Sequence, residues 1–359
     1  MERLNIARLR LHHQQIATPR FERAGQLLAW LGALQAQDYA GALWSIGLRL
    51  PHATLKDVEQ AIIDREIVRT WPLRGTLHFV AAADVHWMLE LLTPRVIERS
   101  APRHRELELD AAIFTRSEKI FLKELRDGGR LTRDEMMALL EKAGISTAGQ
   151  RGYHILWRLA QEGLLCFGPH TGKQPTFTLL DEWIHRGPRL DREASLAELA
   201  HRYFTSHGPA TLQDFIAWSA LPAADARAAL HLAAPRLQEQ TVGDKTYWLS
   251  CDATLTPRKS STAYLLAGFD EYLLGYRDRS ASLDPLHADK VCPSSNGMFI
   301  STIVIDGQVL GTWKRTAKAK SLAITLVPFA KLSPAATRSI KTAASRYGQF
   351  LGCEVTVSE

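Results

Sequence analysis

The sequence predicts a mainly α-helical chain with β hairpins, an α+β fold built from repeated modules. Three observations predict it. First, the stretch FLKELRDGGRLTRDEMMALLEKAGI reads as helix, turn, helix, and a third helical pattern and a hairpin follow it. Second, a similar order returns further along the chain. Third, the text after about residue 255 changes to alternating, β-branched-rich segments. At 359 residues the chain exceeds one ordinary core, and its 46% apolar content is enough to fill several.

In the middle module the second helix opens with Thr132-Arg-Asp-Glu135, a capping box in which each side chain reaches the other residue's free N–H. AGQRGYHILWRLAQEGLL supplies the third helix, with Ile155, Leu156 and Leu159 on its apolar side. CFGPHTGKQPTFTLL then reads as two short strands joined by a loop rich in Gly, Pro, Lys and His. Helix, capped helix, helix, basic hairpin is the winged-helix order, a variant of helix-turn-helix. Downstream, LAELAHRYFTSHGPATLQDFIAWSAL gives two helices, the second opening at Thr211-Leu-Gln-Asp214. ADARAALHLAAPRLQEQ gives a third, and the matching threonines mark an internal repeat of about 80 residues.

The N-terminal third reads as a more divergent copy. It has a helix through Leu27–Leu34, another opening at Thr54-Leu-Lys-Asp57, and a strand pair in VRTWPLRGTLHFV. The expected division is therefore winged-helix modules over 1–105, 106–190 and 191–254, with a β-rich domain over 255–359. In that last domain AYLLAGFDEYLLGYRDR, NGMFISTIVIDGQVLGTWKR and SLAITLVPF suggest a sheet. SPAATRSIKTAASRYGQFLG reads as a final helix and CEVTVSE as an edge strand.

The formal net charge is +6, and the excess is clustered. Lys314, Arg315, Lys318, Lys320, Lys331, Arg338, Lys341 and Arg346 face only Glu354 and Glu359, and Arg95, Arg99, Arg103, His104 and Arg105 form a second group. Each alone reads as a solvated face; together they point to a phosphate-tracking surface and a polyanionic partner, nucleic acid first and an anionic membrane second. On the third helix of the middle module, Gln150, Arg151, His154, Arg158 and Gln161 lie opposite the apolar side. Such residue types contact phosphates and base edges. The equivalent helix downstream offers Asp225, Arg227 and His231, a poorer match. Arg74, Arg277, Arg279, Lys314 and Arg315 complete the candidate DNA contacts.

Cys166, Cys251, Cys292 and Cys353 are far apart, as reduced cytosolic thiols would be. MERLNIARLRLHHQQ lacks the apolar core of a signal peptide, and no apolar run approaches the ~20 residues of a membrane span. A cytoplasmic protein with no membrane partner, acting as a monomer, is expected. Walker, GxGxxG, HExxH and GxSxG motifs are missing, and neither metal nor cofactor is expected. His12 and His13, in a basic segment, read as surface. Asp270 and Glu271 would face opposite sides of a strand, with Arg277 or Arg279 as ion-pair partners.

One stretch stands out: LGALQAQDYAGALW, in which Gln35 and Gln37 follow the apolar run Leu27, Leu28, Leu31, Leu34. In an unbroken helix Gln35 is buried and Gln37 lies about 200° round the axis. Both can serve one site only if the helix ends near Ala36, with Gly41 as its expected stop. A buried glutamine at a helix end is the structural alternative.

With TWPLRGTLHFV, FDEYLLGYRDR and VLGTWKR, this segment resembles bacterial DNA glycosylases of the AlkZ/YcaQ type, from the N-terminus to about Tyr347. The resemblance implies a C-shaped protein of three tandem winged-helix modules and a C-terminal β-rich part around a DNA channel. It implies excision of alkylated purines, including unhooking of crosslinks joined through guanine N7, in duplex DNA. The family signature is Gln-apolar-Gln in the AlkZ branch and Gln-apolar-Asp in the YcaQ branch. Gln35-Ala36-Gln37 matches the first, so the catalytic roles fall on Gln35 and Gln37. Trp71, Arg74 and His78 lie in a strand pair that the resemblance places near the site; Trp71 reads as core and Arg74 as a phosphate contact. The rival readings are a non-catalytic winged-helix regulator and a protein-interaction scaffold.

Overall fold

The computed structural model describes residues 5–187, 189–253, 255, 259–295, 297–317 and 321–358. Lys318 and Lys320 of the basic cluster lie outside them. The chain divides into two compact units, Glu59–Ser195 and Met1–Val58 with Leu196–Glu359.

In the first of these, the helices Ala111–Leu125, Arg133–Lys142 and Arg151–Gln161 follow in the expected order. The capping box is present: Thr132 Oγ1 accepts from the Glu135 N–H, and the Thr132 N–H donates to the Glu135 carboxylate at 2.7 Å. Ile155, Leu156 and Leu159 pack into one core with Phe121, Leu125, Met136, Leu140 and Trp71. Trp71 is thus core, as read.

Two hairpins belong to the same unit. Ile67–Leu73 and Thr76–Ala81 turn through Arg74 and Gly75, both at positive φ (55° and 68°). That is the turn whose twist matches the flanking strands. Leu165–Thr171 and Gln174–Leu179 form the second hairpin. The two do not stand apart as separate wings. They join with Arg69 opposite Phe167, giving the order Thr76–Ala81, Ile67–Leu73, Leu165–Thr171, Gln174–Leu179, Leu131–Thr132.

The other unit repeats the helical order with Leu212–Ser219, again opened by a capping box at Thr211 and Asp214, then Ala223–Ala233 and the hairpin Leu237–Val242 with Lys245–Ser250. The C-terminal sheet runs Glu354–Ser358, Ser321–Pro328, Gln308–Ala317, Thr302–Ile305, Ala263–Leu266. All its pairs are antiparallel except Glu354–Ser358, which lies parallel to Ser321–Pro328 at the edge. A parallel pair needs a long crossover, and the Pro334–Leu351 helix supplies it. Trp44 docks the Tyr39–Leu48 helix on this layer: its indole N–H donates to the Leu265 carbonyl at 2.7 Å, and its ring meets Tyr347 and Phe350.

The acidic pair is not on a strand, which corrects the sequence reading. Asp270 caps a short helix, Glu271–Leu274, and its partner is neither Arg277 nor Arg279. Arg49 donates to both Asp270 oxygens, at 2.7 and 2.8 Å, with the two side chains 0% and 3% exposed. Ser45 Oγ adds a bond of 2.6 Å, and the Gln14 side chain and main chain accept the rest of the guanidinium. Burial raises the Asp270 pKa, but the Arg49 charge and these hydrogen bonds reverse it to a net lowering. Of the adjacent histidines, His13 departs from the surface reading, while His12 is half-buried. His13 is buried, with Nδ1 2.6 Å from the Gly208 carbonyl. Burial first, then the His12 and Arg20 charges, bring its pKa down to about 4 against that bond.

Removing one partner of a buried, hydrogen-bonded ion pair leaves a charge stranded, a loss of about 3–5 kcal/mol. Asp270→Ala should lower the urea-derived stability by that amount. Because the folded carboxyl titrates below its unfolded value, the contribution of Asp270 is complete above about pH 4 and fades in stronger acid.

His13 acts in a different window. Its folded pKa, about 4, is below the unfolded value of 6.5, so stability is full above 6.5 and falls as pH drops towards 4. Urea titrations at stepped pH should show that decline, shallower in His13→Gln. An unchanged slope in the variant would contradict the assignment.

Candidate active site

The run Leu27, Leu28, Leu31 is helical, but the helix Ala24–Leu31 ends earlier than expected. Gly32, at φ 80° and ψ −58°, closes it; Gly41 instead lies inside the next helix, Tyr39–Leu48. A side chain would be strained at Gly32, and Gly fits there without cost. The chain then runs extended through Leu34 and Gln35 and bends at Gln37 and Asp38 before that next helix. So the helix does stop ahead of the Gln-Ala-Gln motif, one turn sooner than the spacing required.

Gln35 is buried (8% exposed) and Gln37 is exposed. The Gln35 carboxamide oxygen is buried with no hydrogen-bond partner among the described residues. Buried amides are nearly always paired, so this oxygen has acceptor capacity that the described residues leave unused. Asp38 caps the Tyr39–Leu48 helix by position, without a side-chain cap bond. Its carboxylate lies over Gly41, where an added Cβ would come within 2.5 Å of Oδ2.

The loop is held from below by a residue to which the sequence reading gave no role at the site. The Gln35 N–H donates to Glu271 Oε1 at 3.1 Å, and the Trp218 indole N–H donates to Oε2 at 3.0 Å. His207 Nε2 lies 3.4 Å from the same Oε2. The signal was present in FDEYLLG: an Asp N-cap, an acid in the first turn, an apolar run and a closing Gly describe a short helix.

The candidate DNA contacts fall into two groups. On the Arg151–Gln161 helix, the Arg151 guanidinium is occupied by the carbonyls of Leu107, Glu108 and Ser146. Arg158 pairs with Glu162 at 2.6 Å and lies over the Phe114 ring. His154 packs against His104 and Trp157, and burial, then the Arg103 charge, lower its pKa. Gln150 is exposed, but Gln161 is buried (1% exposed) and so is not on the outer face. In the hairpin turn Arg74 donates to His78 Nε2 at 3.2 Å, and His78 Nδ1 faces the Thr76 carbonyl at 2.9 Å. With Arg74 as the donor, Nε2 accepts, and the Thr76 carbonyl suits a proton on Nδ1.

In the other unit Arg279 is half-buried, donating to the Leu273 carbonyl at 2.7 Å, and desolvation lowers its pKa. Arg315 donates to the Tyr347 hydroxyl at 2.6 Å. Arg277 and Lys314 are exposed. Among the described residues no group of three or more His, Cys, Asp or Glu side chains could hold a metal ion, and no helix is long and apolar enough to cross a membrane.

Gly32→Ala tests whether the glycine sets the loop. The new Cβ would meet Trp218 at an ordinary 3.4 Å, so any cost comes from the backbone rather than from crowding. A positive-φ alanine should destabilise by roughly 1–2 kcal/mol, read as a drop in Tm. A variant as stable as the parent would show that the backbone there is not strained.

The chain was compared with known proteins. The family model described as DNA glycosylase AlkZ-like matches residues 28–350. A Streptomyces sahachiroi protein named interstrand DNA cross-link repair glycosylase is 25% identical over 339 residues, covering 84% of this chain and 85% of that one. The solved structure of Streptomyces sahachiroi DNA glycosylase AlkZ superposes with a TM-score of 0.77 at 24% identity, over 98% of both chains, and so shares this mixed α+β fold. A match over nearly the whole chain leaves the regulator and scaffold readings without support, and this chain belongs to the AlkZ-like DNA glycosylase family, as an enzyme.

Proposed function

We propose that the protein hydrolyses the N-glycosidic bond of cationic N7-alkylated purines in duplex DNA, with Gln35 and Gln37 as the catalytic residues. Unhooking of interstrand crosslinks falls within the same chemistry, and the name of the Streptomyces sahachiroi relative supports that extension to repair. The observation that carries the reading is the Gln35 carboxamide oxygen, buried and without a partner among the described residues, on a loop anchored through its main chain.

Alkylation at N7 puts a positive charge on the purine, so the base leaves as a neutral species. The bond is already weakened, and no strong acid is needed to protonate the leaving group. What remains is to orient water at C1′, whose surplus proton passes to solvent once the C–O bond has formed, and to stabilise an oxocarbenium-like sugar. Neutral carboxamides suit both tasks. Their oxygens accept a hydrogen bond from the attacking water and present partial negative charge to the developing cation. Each such preorganised contact contributes on the order of 2–4 kcal/mol. Unmodified purines, which must be protonated to leave, gain little from such a site. A crosslinked base is too bulky to be flipped into a closed pocket, so an open site is expected.

DNA is held by the basic surface. Arg277 and Lys314, exposed, are the preferred phosphate contacts, and Arg315 and Arg74 are secondary ones because each also makes an internal bond. Arg151, His154, Arg158 and Arg279 are kept as weaker candidates, since their side chains are largely engaged within the fold. We read the repeated helix–helix–helix–hairpin order, with its capping boxes at Thr132 and Thr211, as tandem winged-helix modules. The protein is taken to act in the cytosol as a monomer.

The test is release of N7-methylguanine from a duplex under single-turnover conditions. Gln35→Ala and Gln37→Ala should each slow release by about 100-fold at an unchanged melting temperature. Wild-type protein that releases no cationic purine would defeat the substrate assignment. Full-rate release by both variants would defeat the assignment of the glutamines.

A further inference from the structure

We propose that Glu271 is a positioning residue for base excision: its buried carboxylate holds the main chain at Gln35, and so aims the Gln35 carboxamide at the reacting sugar. The inference rests on the catalytic assignment of Gln35 made above.

Glu271 is 0% exposed. A carboxylate is costly to bury, and it persists only where hydrogen bonds compensate its charge. Here the two oxygens have separate tasks. Oε1 accepts the Gln35 N–H at 3.1 Å, the contact with the motif. Oε2 is tied to Trp218 at 3.0 Å and faces His207 at 3.4 Å. Each of these is itself fixed. His207 stacks on Tyr203, with centroids 4.8 Å apart and planes 13° from parallel, and its Nδ1 lies 2.8 Å from Ser206 Oγ. The Tyr203 hydroxyl donates to the Gly275 carbonyl at 2.7 Å, returning to the end of the helix that carries Glu271.

Two features show that this close approach is built in. A Cβ at Gly275 would sit 2.6 Å from His207 Cδ2, so only glycine lets the imidazole reach the carboxylate. At the main chain, Gln14 Nε2 donates to the Glu271 carbonyl at 3.2 Å while Gln14 Oε1 accepts from Arg49 at 3.0 Å. Glu271 is therefore clamped at both ends, and its remaining oxygen is directed at the loop. An apolar side chain could fill the same volume, but it would leave the Gln35 N–H unpaired. A displacement of about 1 Å at a reacting group costs on the order of 100-fold in rate, which is the effect a loosened loop would have.

The experiment uses the full chain and duplex DNA carrying N7-methylguanine. It reads the single-turnover release rate, the Kd for the same duplex with a non-cleavable 2′-fluoro sugar, and the melting temperature. Glu271→Leu should slow release by about 100-fold with Kd within about twofold of wild type. Glu271→Gln keeps a neutral oxygen for the Gln35 N–H and should slow release several-fold, by no more than about tenfold. In a Gln35→Ala background neither substitution should slow release further, because Glu271 acts through Gln35.

Wild-type rates in folded Glu271→Leu would overturn the proposal while leaving Gln35 catalytic. So would losses that add in full to those of Gln35→Ala. A fully active Gln35→Ala would overturn the assignment on which the proposal rests, and the proposal with it. If Glu271→Leu does not fold, Glu271→Gln decides: it must lose rate several-fold, lose nothing more beside Gln35→Ala, and keep DNA affinity. Failure on any of these overturns the positioning role.

Discussion

The Arg49–Asp270 pair is the constraint on which the rest of the candidate site depends. Two full charges removed from water are tolerable only with near-complete hydrogen bonding, and beside the pair's own bonds five groups supply it: the Ser45 hydroxyl and carbonyl, the Gln14 main-chain carbonyl and side-chain oxygen, and the Tyr272 N–H. That need fixes three segments distant in sequence: the end of the N-terminal helix at Gln14, the helix Tyr39–Leu48 with Arg49 at its C-cap, and the capped turn at Asp270. Once Asp270 is locked, the next residue has one place to go. Glu271 enters the interior beside Trp218 and His207, and from there it reaches the Gln35 main chain. Structure and proposed chemistry thus meet in two adjacent acids with different duties. One compensates the buried Arg49 charge, and the other, in the proposal above, orients the site.

Such an arrangement suits a reaction whose substrate brings its own activation. A site for neutral purines needs a proton donor with a tuned pKa. A site for cationic purines needs only rigid dipoles near C1′, and rigidity comes from the packing under the loop rather than from the loop itself. In the proposed site the acids lie buried beneath the loop, and the two residues assigned to the reacting sugar, Gln35 and Gln37, are neutral.

Much of the fold was legible in the sequence. The capping boxes at Thr132 and Thr211 and the apolar stripe Ile155, Leu156, Leu159 are local features that burial later satisfies. The edge strand Glu354–Ser358 and the helix before it were likewise visible. The joining of two hairpins at Arg69 and Phe167 was not, because strand pairing across about 100 residues leaves no local mark. Around the motif, Gly32 rather than Gly41 ends the helix, and periodicity ran past it because Leu34 continues the apolar spacing. The ion-pair partner of Asp270 was misread for the same reason: Arg277 and Arg279 are near in sequence, whereas Arg49 is 221 residues away. His13 was read as surface from its charged neighbours, yet its contact is the Gly208 carbonyl, 195 residues distant. Resemblance, not spacing, singled out Gln35 and Gln37, and the structure adds the anchor beneath them.

The central claim is that neutral carboxamides, aimed from a loop anchored by a buried acid, face the reacting sugar. A crystal structure of the protein on duplex DNA carrying a cationic azasugar, a stable mimic of the oxocarbenium ion, measures this directly. The expected result is a carboxamide oxygen of Gln35 or Gln37 within about 3.5 Å of the azasugar nitrogen or of a water beside it, with the Gln35 N–H still on Glu271. An azasugar bound with both glutamines turned away, and other side chains at the nitrogen, would contradict it.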